Sequence, residues 1–502
     1  MLQYNISQNT YIKYLFSCIT ASDTKASLST VKIITLIALG VLSMVTRRQF
    51  TKSTVALAFL GLNSSILGCT RKPAITPTPT TTGYGPLIPD PKGLLDLPKG
   101  FSYQVISELN DKMDDGLSVP DNADGMGCIE LGSNRVALVR NHELSPKHLQ
   151  NAASDIATHK TKKAYDTLNH DVALPGGTTT LVYNLNTQQI EQQYYSLVGT
   201  IRNCAGGTTP WGTWLSCEET VRLADSEIGK DHGYIFEVPV DQPGLCDPIP
   251  LVEMGRFNHE AAAVDPRTGI VYLTEDRGDG LFYRFIPHQK GKLALGGILQ
   301  ALVFKSLNKF DTRNWQQPNM PLSNWYEAEW VTLDNPQSPE DDLRIRGYDL
   351  GAAVFARGEG IHFGDNELYF CCTNGGGKQL GQIMRYQPSA YEGTDKEATS
   401  PGQIQLFLES SDKSLYDFGD NLTVTPQGHL LICEDQYTAN PSNHLRGVSP
   451  QGAVYPFAKL RTSTELAGAC FSPDGRTLFV NVYSPTKTLV ITGDWKSYHS
   501  EG

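Results

Sequence analysis

The sequence predicts an all-β protein: a six-bladed β-propeller with inserted loops and short helices. Three observations carry that prediction. From about residue 96 onward there is little amphipathic helix, and short apolar runs follow Gly, Asn, Asp or Pro turns. Six runs share one pattern of polar turn, four or five β-formers and a closing polar cluster: 131–143, 210–219, 265–277, 363–376, 425–436 and 472–485. Further strands of the form G-x-hydrophobic-Tyr/Phe lie between them, as a repeated multi-stranded blade requires. Six unrelated strands in a sandwich, or two β domains, are the plainer alternative.

In chain order, residues 1–69 read as an N-terminal extension and export signal. "TRRQFTKSTVALAFLGLNSSILGC" joins Arg47 and Arg48 to a short apolar run, in the manner of a twin-arginine signal. "ILGC" resembles a lipidation site that would make Cys69 the first residue of a mature, lipid-anchored chain; the alternative is an unmodified Cys69. A second apolar run upstream fits such a signal poorly: it is either a membrane anchor or lies ahead of a true start at Met44, and Met44 is the favoured reading. Residues 70–92, rich in Pro and Thr, read as a tether. Residues 93–502 are expected to form a single propeller domain, exported to the periplasm or cell surface and monomeric.

Composition narrows the function. The 502 residues are 40% hydrophobic and 19% charged, as in a folded chain, and their net charge of −11 argues against general nucleic-acid binding. Setting aside Cys18 and Cys69, the other cysteines show no disulfide-scaffold spacing. One or two structural disulfides would still suit an oxidising compartment.

The polar ends of the six runs carry the chemistry. Four close in carboxylates. If the runs are equivalent strands, those carboxylates gather at one mouth of the propeller axis, and such a gathering repels itself unless cations fill it. "VRNHE" offers Asn141, His142 and Glu143; "GRFNHEAAAVD" offers His259 and Glu260. Neither is the H-E-x-x-H of a metalloprotease helix. "TEDR" places Glu275 and Asp276 at a strand end, and "CED" does the same for Glu434 and Asp435. In "FARGEGIHFGD", Arg357 and Glu359 would share one strand face, able to fork onto a phosphate and to bind its cation. Cys204, in "RNCAGGTTPWGTWLSCEE", adds a soft donor; a site using thiolate and carboxylate together would need a transition metal as well as calcium. A buried free thiol or a Cys204–Cys217 disulfide is the plainer reading.

Taken together, "NCAGGTTPWGTWLSCEE", "DGMGC", "LVRNHE", "GRFNHEAAAVDPRTGIVYLTEDR", "ARGEG" and "CED" resemble the PhoX-type alkaline phosphatases, from about residue 85 to the C-terminus. The resemblance implies a six-bladed propeller with an iron–calcium cluster at its channel mouth, hydrolysing phosphate monoesters outside the cytoplasm by metal-assisted phosphoryl transfer. It implies Cys204 as an iron ligand and Glu219, Glu275, Glu359 and Asp435 as cluster ligands. Arg357 would hold the phosphate. Asn141, Glu143 and Glu260 match the motifs too, either touching metal or catalytic centre or supporting the residues that do. Two readings compete: a calcium-dependent hydrolase of phosphodiesters, phosphotriesters or lactones, and a non-catalytic binding propeller braced by metals. Insertions at 144–178 and 287–347 are expected to reshape the mouth.

Overall fold

The computed structural model describes residues 82–499, apart from 152 and 157–160. The export signal expected around Arg47 and Arg48 and the lipidation expected at Cys69 lie outside the described residues.

The strands form six antiparallel blades. Their innermost strands are Ala123–Gly132, Asn203–Thr208, His259–Val264, Gly358–Phe363, Gly419–Val424 and Leu466–Phe471, and each packs on the next until the sixth meets the first. The ring is closed by mixing chain ends. The sixth blade takes Leu466–Phe471, Thr477–Val482 and Lys487–Thr492 from the C-terminal end and its outer strand, Ser102–Glu108, from the N-terminal end. Closure of this kind leaves no exposed edge at the seam.

The six runs singled out in the sequence are indeed equivalent, but they are the second strand of each blade rather than the innermost. They hold Arg135–His142, Thr213–Glu218, Val271–Glu275, Leu368–Cys372, Leu430–Glu434 and Thr477–Val482. Their apolar character is continuous, not alternating, because both faces are covered by neighbouring blades. In the first blade, Ala137 and Val139 pack toward Trp214 and Phe236 of the second, while Val136 and Leu138 pack toward Phe479 and Val490 of the sixth. All four side chains of that strand are fully buried.

The insertion at 287–347 becomes structure of its own. Gly297–Phe304 completes the third blade, and Tyr326–Thr332 pairs with it and with Gln403–Glu409, joining the third and fourth blades into one sheet. A short helix, Leu343–Asp349, follows. The insertion at 144–178 contributes a 3-10 turn from Pro146 and the small strand pair Thr167–Leu168 and Val172–Ala173.

Every inner strand carries a β-bulge near its start. Ala123 pairs with His142 but Met126 with Arg140; the same one-residue slip recurs at Asn203/Gly206, His259/Ala262, Gly358/Ile361, Gly419/Leu422 and Ala467/Cys470. A bulge re-aims the extra side chain. Just beyond it the blades close in until there is no room for a Cβ. One on Gly125 would lie 2.4 Å from the Ala205 Cα, and one on Gly360 would lie 2.6 Å from the Asn421 Cα. This constriction separates the mouth from a cavity of about 390 Å³ in the rest of the channel.

Candidate active site

The bulges determine what reaches the mouth. The residue that follows the first pair of each inner strand is, in turn, Asp124, Cys204, Glu260, Glu359, Asp420 and Ala467. Five of six are metal-ligand types. A second tier comes from the residue that follows each second strand: Glu143, Glu219, Asp276, Thr373, Asp435 and Tyr483. Each of these donates its backbone N–H to the carbonyl of the residue before an inner strand, namely Asn122, Arg202, Asn258, Arg357, Phe418 and Glu465. The sixth blade, which has only Ala467 at the bulge, supplies its acid from this last position as Glu465.

These tiers meet around one cavity of about 90 Å³. Nine carboxylates line it (Asp124, Glu143, Glu219, Glu260, Asp276, Glu359, Asp420, Asp435 and Glu465), with the Cys204 thiol and two guanidinium groups, Arg202 and Arg357. Both arginines occupy the left-handed region, at φ 52°, as do Asn122 and Phe418 at the equivalent places. For a non-glycine residue that conformation costs about 1 kcal/mol, and it is retained here where it delivers a side chain to the mouth.

Two sets of donors converge closely enough to share an ion. Cys204, Glu219 and Glu260 place ligand atoms within 4.8 Å of one another, and so do Glu260, Glu359 and Asp420. Glu260 belongs to both, as a bridging carboxylate would. The Cys204 Sγ lies 3.2 Å from Glu260 Oε1 and 3.5 Å from Asp124 Oδ2. Asp124 Oδ1 and Glu260 Oε2 are buried without a protein hydrogen-bond partner.

Electrostatics points the same way. Burial, then the Asp420 and Glu219 charges, pushes Glu260 well above the carboxylate range. Burial, then Asp276 and Glu260, does the same to Glu359. Glu219 is raised to about 8, chiefly by burial and against the pull of Arg202. Asp420 is raised to about 7 by burial and by Asp435. Burial and the Asp124 and Glu260 carboxylates push the Cys204 thiol up as well. Without cations these groups cannot ionise together; a bound cation reverses the balance for all of them. Orphaned buried oxygens, a thiol among carboxylates and a shared glutamate fit a group of closely spaced metal ions, with a soft position at Cys204.

Arg357 is positioned by bidentate contact with Asp276, Nε to Oδ1 at 2.7 Å and Nη2 to Oδ2 at 2.8 Å. Its Nη2 also reaches Glu359 Oε1 at 2.9 Å and the Tyr437 hydroxyl at 3.2 Å. Arg202 bridges Glu143 and Glu219 from the other side.

Of the residues expected from sequence, Cys204, Glu143, Glu219, Glu260, Glu359, Asp435 and Arg357 line this cavity. Glu275 and Asn141 do not. Strand alternation turns Glu275 into the third blade, where its Oε2 accepts the Leu281 N–H at 3.2 Å and the Tyr283 hydroxyl at 2.7 Å. Asp276, one residue on, takes the place at the mouth. The same alternation governs the other acid pairs. Glu218 braces Ile201, His232 and Gly233 while Glu219 faces the mouth. Glu434 braces Asp417, His444 and Arg446 while Asp435 faces it. Asn141 spends its whole amide on the cysteine turn. Its Nδ2 donates to the Cys204 and Ala205 carbonyls, and its Oδ1 accepts from Trp214 Nε1 and Ser216 Oγ. It is therefore a positioning residue for Cys204 with no group free for substrate. Cys204 and Cys217 are both free thiols, so the hairpin disulfide is not formed.

Sequence reasoning missed Asp124, Asp420, Glu465, Arg202 and Tyr437, and it chose Glu275 as the ligand over its neighbour Asp276. For Asp124 and Asp420 a signal was available, shared with Glu260 and Glu359. Each of "NADGM", "HEAAA", "RGEGI" and "GDNLT" puts one acid beside small residues a hairpin upstream of a strand-end polar cluster. Aligning the six strand ends on one another would also have selected Asp276 over Glu275.

Comparisons with known proteins bear on the fold and the family. The structure of Pseudomonas fluorescens PhoX in complex with vanadate, a transition state analogue, aligns over 84% of this chain and 100% of that one, at 19% identity and a TM-score of 0.62. It supports the propeller fold. A Bacteroides thetaiotaomicron protein of unknown function reaches a TM-score of 0.39 at 10% identity, over 78% of this chain and 76% of its own. A gluconolactonase from Xanthomonas campestris reaches 0.29 at 12%, over 75% and 97%. No curated protein matches the chain. A sequence model described as alkaline phosphatase PhoX matches residues 82–189 and 172–486.

Proposed function

The chain belongs to the alkaline phosphatase PhoX family, a family of phosphomonoesterases, and from that premise we propose that it hydrolyses phosphate monoesters at an iron–calcium cluster held in the propeller mouth. One observation carries the metal reading: the same bulge in five blades delivers Asp124, Cys204, Glu260, Glu359 and Asp420, and Glu260 belongs to both close donor sets. Cys204, with Glu219 and Glu260, would hold iron. Glu260, Glu359 and Asp420 would hold calcium, whose ligands are oxygens. When bound, these metals supply Lewis-acid neutralisation of the phosphoryl oxygens.

The chain's own residues do the rest. Arg357 presents a guanidinium whose orientation is set by Asp276, and its charge is matched to equatorial phosphoryl oxygens. Tyr437, against the Arg357 guanidinium, limits how far that group can swing toward solvent. Asn141 holds the Cys204 backbone and so fixes the position from which the thiolate would bind a metal. Vanadate in the Pseudomonas fluorescens relative is a transition-state analogue there and supports a phosphoryl-transfer reading here.

Export by the twin-arginine route and a lipid anchor at Cys69 belong to the same proposal. They rest on Arg47, Arg48 and "ILGC" in the sequence. A single propeller domain acting as a monomer is proposed with them.

The test is elemental analysis for iron and calcium, with aryl phosphate monoester hydrolysis measured before and after chelation. Metal-dependent activity on the monoester is expected. Full activity after removal of both metals would overturn the cluster, and equal rates on a phosphodiester would overturn the substrate class.

A further inference from the structure

The metals and the phosphoryl group would take up the acidic cavity of about 90 Å³, so the alcohol portion of the ester would lie outside it. A second cavity of about 320 Å³ adjoins it, with Glu143 and Arg202 as their common wall. Ser145, Lys147, His148 and Tyr483 also line this second space. Its charge is of the opposite kind. Glu143 is its one carboxylate among the described residues, and it is already engaged by Arg202 Nε at 2.8 Å and by the Tyr483 hydroxyl. Arg202 spends Nε and Nη2 on Glu143 and Glu219, which leaves Nη1 without a protein partner among the described residues. Lys147 is exposed and pairs with no carboxylate among them. His148 accepts the Ser145 N–H at Nδ1, 2.9 Å away, so its proton sits on Nε2 and that nitrogen is a donor.

We propose that this cavity is the leaving-group subsite, and that it selects monoesters whose alcohol portion carries a second anionic group. The inference rests on the monoesterase reading above. An uncharged alcohol leaves Lys147, Arg202 Nη1 and His148 Nε2–H to water. A second anion receives charge-assisted hydrogen bonds from them while the phosphoryl group is held at the mouth. The loop that follows the first blade's second strand supplies Lys147 and His148.

The test compares kcat/KM of the metal-loaded chain for 2-phosphoglycerate and glycerol 2-phosphate, which differ in a carboxylate replacing a hydroxymethyl group. A preference of about tenfold for 2-phosphoglycerate is expected, shrinking as ionic strength rises. Lys147→Gln should bring the ratio of the two kcat/KM values toward one, Lys147→Glu should invert it, and Lys147→Arg should retain it. Hydrolysis of both esters at equal rates, with a ratio unmoved by K147Q and K147E, would overturn the subsite alone. Hydrolysis of neither ester would overturn the monoesterase reading and the subsite with it.

Discussion

Stripping the metals should make the fold lose stability as pH rises, the reverse of what paired carboxylates ordinarily do. Glu219 is raised to about 8 and Asp420 to about 7 in the metal-free fold, both mainly by burial. In the unfolded chain both ionise near 4. Between those values the folded state holds protons that the unfolded state has released, so stability falls with pH through this window. Each group removes about 1.4 kcal/mol per pH unit while it holds its extra proton. Going from about pH 5.5 to about pH 8.5, the two together remove about 5 kcal/mol. For a domain of this length that is roughly 5 °C in Tm. Asp124, Glu260 and Glu359, also raised by burial, act in the same direction. The assay is thermal unfolding of chelated protein at the two pH values beside protein reloaded with iron and calcium. Reloaded protein should be insensitive to pH or gain stability, because metal binds the deprotonated acids. Chelated protein as stable at the higher pH as at the lower would refute the claim that the metal-free mouth holds its acids protonated.

Other expectations are more local. Glu260→Gln should remove ligands from both donor sets at once, so iron and calcium content should fall together with at least a hundredfold loss of activity; retention of either metal at full stoichiometry, read by elemental analysis, would contradict its bridging place. Glu275→Ala should leave metal content unchanged and instead lower Tm because the Leu281 N–H and the Tyr283 hydroxyl lose their buried acceptor, whereas Asp276→Asn should raise KM for an aryl phosphate by about tenfold because Arg357 loses its bidentate partner. Gly360→Ala would set a Cβ 2.6 Å from the Asn421 Cα and 2.8 Å from the Asp420 carbonyl oxygen, so a loss of about 2–3 kcal/mol in denaturant unfolding is expected.

What could be read along the chain was periodic and local. The turn–strand–polar repeat specified blades, their number and the equivalence of the second strands, because a buried strand between two covered faces must be a short apolar run bounded by turn residues. The odd segment around Cys204 and the arginine–glutamate pair at 357 and 359 marked chemistry for the same reason: thiol, carboxylate and guanidinium beside glycines serve few structural purposes. Which carboxylate of a pair faces the mouth was decided only in three dimensions. Glu275 and Asp276 are one residue apart, and strand alternation together with the inner-strand bulge sends the first into the blade and the second to the mouth. Glu465 likewise reaches the mouth only because the sixth blade closes on the first, and nothing in its immediate neighbours says that it shares a cavity of about 90 Å³ with Asp124 and Asp420. Local preference sets what each strand is; the closing of the ring, a global constraint on packing, sets which side chains meet.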